Sequence, residues 1–114
     1  MVDEIGAVGL VVQFELLQGH EEAFDVLAAE TVASIKASEP GTLVYLTHTD
    51  RTSPDVRVFY ELYRDDAAFQ AHEEAEHVRR FPAERRQHLQ HDPQVWWVTP
   101  LKGVVRPGAS PGGA

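Results

Sequence analysis

The stretch Phe59-Tyr60-Glu61-Leu62-Tyr63-Arg64-Asp65-Asp66-Ala67-Ala68-Phe69-Gln70-Ala71-His72 decides the fold of this chain. Up to Tyr63 it is apolar and aromatic with one carboxylate, the composition of a strand; from Asp65 onward it turns helical. Asp65 is placed to cap that helix by accepting from its first free backbone N–H groups, and Ala67, Ala68, Phe69 and Ala71 favour its continuation. Glu61 therefore sits inside an apolar strand, where a carboxylate must find a donor or take up a proton. His72 follows Phe69 by three residues, shares its helix face and points toward the sheet.

Outward from this junction, Val8, Leu10, Val12, Phe14 and Leu16 alternate with other residues, the two-residue period of a strand with one apolar face. Gln18-Gly19-His20 breaks the pattern. Glu21 and Glu22 then suit a helix N-terminus, and Phe24, Leu27, Ala28, Thr31, Val32 and Ile35 recur at helical spacing until Pro40-Gly41 ends the helix. Thr42 to Thr49 and Val56 to Tyr63 read as paired strands. A further helical piece is predicted from about Glu76, carrying Val78 and Phe81, with Pro82 starting a new turn or kinking it. Pro93 to Val105 contains a last strand, interrupted at Pro100. The order is strand, helix, strand, strand, helix, strand: an α+β, ferredoxin-like βαββαβ fold with a four-stranded antiparallel sheet and both helices on one face. Residues 1–105 form the domain, and the Pro-, Gly- and Ser-rich segment 106–114 reads as a flexible tail. The uncovered face, including the Trp96/Trp97 segment, calls for burial in a homodimer.

Composition narrows the function. At 114 residues the chain is one domain, burying only about 60 to 65% of its unfolded surface, so a partner subunit would help it. A formal charge of -8 offers no basic stripe for nucleic acid. With no cysteine there are no disulfides, thiolate nucleophiles or sulfur-ligated metals. Neither a signal peptide nor a membrane span is visible, and the expectation is a soluble cytoplasmic protein. Glu73 with His77 and His72 with Glu76 have i, i+4 spacing, but a His-Glu-x-x-His pair is lacking, so no metal is expected. No glycine-rich phosphate loop follows a strand, and no cofactor is expected. His88 and His91 lie in a polar segment and read as surface residues; Arg79 and Arg80 read as solvated helix charges.

The first-strand pattern, the Glu39-Pro40-Gly41-Thr42 turn, Phe59 to Asp65, and Ala68-Phe69-Gln70-Ala71-His72 followed by His77 together resemble the antibiotic biosynthesis monooxygenase family, notably its small quinol-monooxygenase-like members. The likeness spans about residues 7 to 101. It implies a dimeric α+β barrel in which two sheets pack together and each subunit holds a pocket between its sheet and helices. It also implies oxidation of quinols or anthrone-type compounds by dioxygen without an added cofactor, haem degradation, or isomerisation of a small signalling molecule. The haem-degrading branch uses an Asn on the first strand and a Trp and a His in the second helical region; Val12, His72 and the neighbourhood of Pro82 stand there in this chain, which disfavours that activity. The polyketide-oxidising branch is matched incompletely, since Tyr63 stands where its pocket Trp would be.

On this reading Glu61, His72 and His77 are the candidate catalytic residues, and Tyr45, Phe59, Tyr63 and Phe69 the candidate substrate-binding residues. Each has a structural alternative: Glu61 pairing with an arginine at the surface, His72 as a hydrogen-bonded core residue, and the strand aromatics as packing. His77 is offset by five from His72 and shares its face only if the helix breaks near Glu76. The expected activity is a cofactor-independent monooxygenation of a small phenolic substrate, in which His72 assisted by Glu61 removes a phenolic proton. The alternatives are an isomerase using the same acid-base pair and a non-catalytic ligand-binding or stress-response dimer.

Overall fold

In a computed structural model of the chain, residues 6–106 are described. Strands β1 (Val8–Glu15), β2 (Thr42–Thr49), β3 (Val56–Tyr63) and β4 (Gln94–Val98) form one antiparallel sheet in the order β2-β3-β1-β4. Helices α1 (Glu21–Ser38), α2 (Asp66–Glu74) and α3 (Glu76–Arg85) complete the ferredoxin-like layout, with a 3-10 turn at Arg86–His88 leading to β4.

Cross-strand pairing fixes which side chains share a face. Leu10 opposes Glu61, Val12 opposes Phe59, and Phe14 opposes Arg57, so these residues point together toward the helices. There Phe14, Phe24, Phe59 and Phe81 meet ring to ring, their centroids 4.7 to 6.5 Å apart, and form the centre of the core. Arg57 is buried on this face as well. It grips Asp25 of α1 through both carboxylate oxygens at 2.8 and 3.0 Å, and so ties β3 to α1.

The opposite face is uncovered by any described element. Val11, Val44, Leu46, Val58 and Tyr60 are half-buried there, and Trp96 and Val98 of β4 are exposed. The two tryptophans separate, because successive strand residues point to opposite sides. Trp96 opposes Val11 on the open face, whereas Trp97 opposes Leu10 and reaches Phe69 of α2 edge-on at 5.3 Å.

The expected last strand is shorter than its composition implied. It stops at Val98, whose partner Gly9 is one residue from the start of β1, and beyond it Leu101, Val104 and Val105 lie exposed without regular structure. Pro100, which has no backbone N–H to give to a ladder, lies two residues beyond Val98. Pro82 falls inside α3 rather than at its start. Of the expected tail, residues 107–114 lie outside the described residues. No helix among the described residues is long and apolar enough to cross a membrane.

Candidate active site

Two local features bring the polar residues together. Asp65 caps α2, accepting from the Ala68 N–H at 2.8 Å, and this starts α2 so that Phe69 and His72 both face inward. Ala75 then adopts an extended conformation (φ -66°, ψ 137°) and ends α2, so that α3 begins as a separate helix. That break turns His77 back toward His72, which a continuous helix would not allow.

Between the two histidines stands Glu39, the residue after α1. One carboxylate oxygen accepts from His72 Nδ1 at 2.7 Å and from the Thr42 hydroxyl at 2.7 Å; the other accepts from His77 Nε2. Gly41 makes this approach feasible: a Cβ there would lie 2.6 Å from the Ala68 Cβ, so only glycine lets the turn after α1 lie against α2.

On the sheet side of His72, Glu61 Oε1 lies 4.0 Å from Nε2 and accepts a 2.6 Å hydrogen bond from the Tyr63 hydroxyl. Among the described residues, His72 Nε2 makes no hydrogen bond. Glu61 and His72 are buried, and the side chain of Glu39 is only 7% exposed. The histidine therefore stands between two enclosed carboxylates, hydrogen-bonded to one and facing the other.

The two carboxylates differ in charge tendency. Burial works against the Glu39 anion, but the donors Thr42, His77 and His72 outweigh it and hold its carboxyl below the usual range. For Glu61, burial dominates; Tyr63, His72 and Arg85 offset it only in part, and its carboxyl is raised. Burial and the neighbouring Glu61 also push the phenols of Tyr45 and Tyr63 well above their ordinary range, so both remain neutral donors. Arg85 stacks its guanidinium over Phe14 and Phe81 at 5.0 Å from each ring centroid and contributes positive charge near Glu61.

The structure thus brings Glu61, His72 and His77 into one cluster, but the hydrogen-bonded partner of both histidines is Glu39, which the sequence reading used only as part of a turn. Phe59 and Tyr63 are 1% and 0% exposed, packed into the core. Tyr45 and Phe69 are half-buried, with ring centroids 5.7 and 6.5 Å from that of His72. Arg79 and Arg80 are exposed, whereas Arg85, not singled out in the sequence, is half-buried and acts on Glu61 through its charge. A cavity of about 550 Å³ lies on the outer side of the cluster, lined in part by Glu39, Gly41, Arg64, Ala71 and His77. Among the described residues, no three His, Cys, Asp or Glu side chains are arranged to hold a metal ion.

The sequence matches the family model for antibiotic biosynthesis monooxygenase over residues 7–84. Among solved structures, it is similar to PA3566 from Pseudomonas aeruginosa, at 29% identity and a TM-score of 0.76, covering 85% of this chain and 96% of that one. It is similar in fold to an antibiotic biosynthesis monooxygenase, at 24% identity and a TM-score of 0.75, covering 83% and 99%. Rv0793 from Mycobacterium tuberculosis shares the fold at 19% identity and a TM-score of 0.79, covering 87% and 99%. A comparison with curated proteins by sequence gives no match.

Proposed function

The chain belongs to the antibiotic biosynthesis monooxygenase family, and from that premise we propose that it oxidises a small phenolic substrate, of quinol or anthrone type, with dioxygen and without an added cofactor. The observation that carries this reading is the orientation of His72. Glu39 accepts from Nδ1, which fixes the tautomer with its lone pair on Nε2, and that nitrogen faces Glu61 across 4.0 Å. In the proposed reaction Nε2 takes the hydroxyl proton of the substrate, Glu39 stabilises the imidazolium formed, and His77 holds the second oxygen of Glu39 in place. Arg85 favours the phenolate electrostatically, and Tyr45 and Phe69 supply apolar walls. The phenolate passes an electron to dioxygen, and the radical pair recombines to form a C–O bond at a carbon bearing hydrogen. Loss of that carbon's proton with cleavage of the O–O bond leaves one oxygen as a new carbonyl; the other takes up that proton and the phenolic one and leaves as water. The protein supplies position, a proton acceptor and exclusion of solvent.

The test is oxygen uptake by metal-stripped protein with a panel of quinols and anthrones. One dioxygen consumed per product, with one labelled oxygen atom incorporated, supports the assignment. Full activity in a folded His72→Ala protein would overturn it. The opposed tendencies of Glu39 and Glu61 equally suit proton removal and return on a carbonyl compound, and turnover that persists without oxygen would identify an isomerase instead.

We also propose that the uncovered sheet face is buried against a second copy of the chain. Its half-buried aliphatics flanking an exposed Trp96 suit a self-complementary apolar contact. Light scattering should give twice the chain mass, and Trp96→Lys should shift it toward the monomer; a monomeric parent chain at micromolar concentration removes the idea.

A further inference from the structure

The helix side of the sheet is not covered to its edge. On β4 the residues that point that way are Val95, opposite Val12, and Trp97, opposite Leu10; both remain exposed although Val12 and Leu10 are buried. Helices α2 and α3 therefore leave an apolar trench along β4. At one end Trp97 meets Phe69 of α2, in the same cross-strand row as Leu10 and Glu61. At the other end Pro93 lines a cavity of about 300 Å³ together with Arg85, Arg86, Gln90 and His91.

Arg85 is the uncommitted cation of that cavity. Its guanidinium carbon lies 5.0 Å from the ring centroids of Phe14 and Phe81, contacts that hold the group in place but engage none of its five N–H donors. Among the described residues it has no hydrogen bond or ion pair, because its neighbours are engaged elsewhere. Arg80 pairs with the adjacent Glu84 at 3.3 Å, His91 with Glu15 at 3.4 Å, and the Gln90 amide donates to the Leu16 carbonyl at 2.8 Å. Asp92, at the rim, is exposed and paired with neither arginine, and Arg86 adds a second, exposed positive charge. Burial works against the Arg85 charge and is offset only in part by Tyr45, Glu61 and Glu73. A half-buried guanidinium in this position is completed by an acceptor from outside the chain, and a carboxylate matches its fork with two parallel hydrogen bonds.

The spacing sets the size of the ligand. Phe14, beneath Arg85, follows Leu10, the partner of Glu61, by four residues on β1, a distance of about 13 Å along a strand. A single phenol ring does not cover that span, whereas two or three fused rings laid along the trench do. We propose that the ligand of this cleft is a fused-ring phenol bearing a carboxylate, its rings along Val95 and Trp97 and its carboxylate on Arg85. The phenol end rests on the oxidation proposed above; the Arg85 subsite does not, and is read by binding alone.

The probes are an anthraquinone carboxylate and the matching carboxamide, which have the rings but no phenol to oxidise, titrated calorimetrically into the full chain, with benzoate as the short acid. The three-ring acid should bind at least tenfold more tightly than either the amide or benzoate. Arg85→Gln should reduce the preference for acid over amide to less than twofold, whereas Arg79→Gln, at an exposed position of α3, should keep it. In the parent chain, independently of how the variants fold, the Arg85 Nε–Hε resonance should shift with the acid and not with the amide. Equal binding of acid and amide, binding of neither, or a preference that survives Arg85→Gln overturns the subsite, and benzoate binding as tightly as the three-ring acid overturns the fused-ring assignment. An acid preference without oxygen uptake on any hydroxylated analogue removes the oxidation and leaves the subsite; oxygen uptake without an acid preference does the reverse.

Discussion

Glu39 and Glu61 flank the same histidine, both with little exposed side-chain surface, yet they are driven in opposite directions. Glu39 gathers three donors from three elements, the Thr42 hydroxyl and the His72 and His77 rings, and its carboxyl is lowered despite burial. Among the described residues Glu61 has one donor, the Tyr63 hydroxyl, and burial raises it. The difference shows that enclosure alone does not set the state of a carboxylate; the number of donors aimed at it does. It also divides the labour. An anion at Glu39 fixes and charges His72, while a carboxyl at Glu61 that changes state more easily faces the lone pair where a substrate proton would be exchanged.

The sharpest way to break that division is Glu39→Gln. An amide offers one acceptor oxygen, so it cannot serve His72 and His77 together, and Nδ1 loses the anion that sets its tautomer. In the proposed oxidation we expect kcat to fall by about 10²- to 10⁴-fold, with KM little changed. Nitrogen NMR should show the His72 tautomer becoming mixed. A variant that keeps both kcat and the tautomer would mean that Glu39 is structural only. Glu61→Gln should act more mildly, lowering kcat by about tenfold, and through pH. The parent rate should rise with an inflection above 4.5, the ordinary carboxylate value, as Glu61 ionises and supports the imidazolium. The variant should lack that inflection, and a retained one would assign it to another group.

Stability should separate the two residues with opposite signs. The folded value of Glu39 lies below its ordinary 4.5, so its contribution is present above that pH and lost as pH falls through the folded value. Glu39→Gln should cost about 1–3 kcal/mol near neutrality, and the gap to the parent in Tm should close on acidification. The folded value of Glu61 lies above 4.5, so its contribution is present below that pH and disappears as pH rises through the folded value. Glu61→Gln should therefore match the parent in acid and gain on it toward neutrality. Parallel Tm curves for the two variants would contradict the contrast.

How much of this was written in the chain follows from the range of each interaction. The β3–α2 junction was legible because Asp65, the alanines and the strand aromatics act within a few residues of one another, and Glu61 and His72 were found because each is a polar residue on an otherwise apolar face. Glu39 was not, since its meaning lies 33 and 38 residues away in His72 and His77. A glutamate between a helix end and Pro40 looks like solvent-exposed turn chemistry until the Gly41 contact with Ala68 folds it under α2. Arg85 escaped for a similar reason. Periodicity shows which side of α3 is apolar, but not that a guanidinium would lie over Phe14 and Phe81.

The mildest perturbation tests the finest part of the contrast, the single donor to Glu61. Tyr63→Phe removes only a hydroxyl from a side chain with no exposed surface, so its ring contacts with Phe69 and His72 remain. A loss of about 1 kcal/mol is expected. Because that hydroxyl lowers the Glu61 value, its removal should move the acid limb of the rate to higher pH while leaving the limiting rate nearly unchanged. Such a shift would separate Glu61 from Glu39 by their donors alone, since Glu39 keeps all three of its own in this variant. An acid limb that stays in place would mean that burial, and not the Tyr63 bond, sets the balance at Glu61.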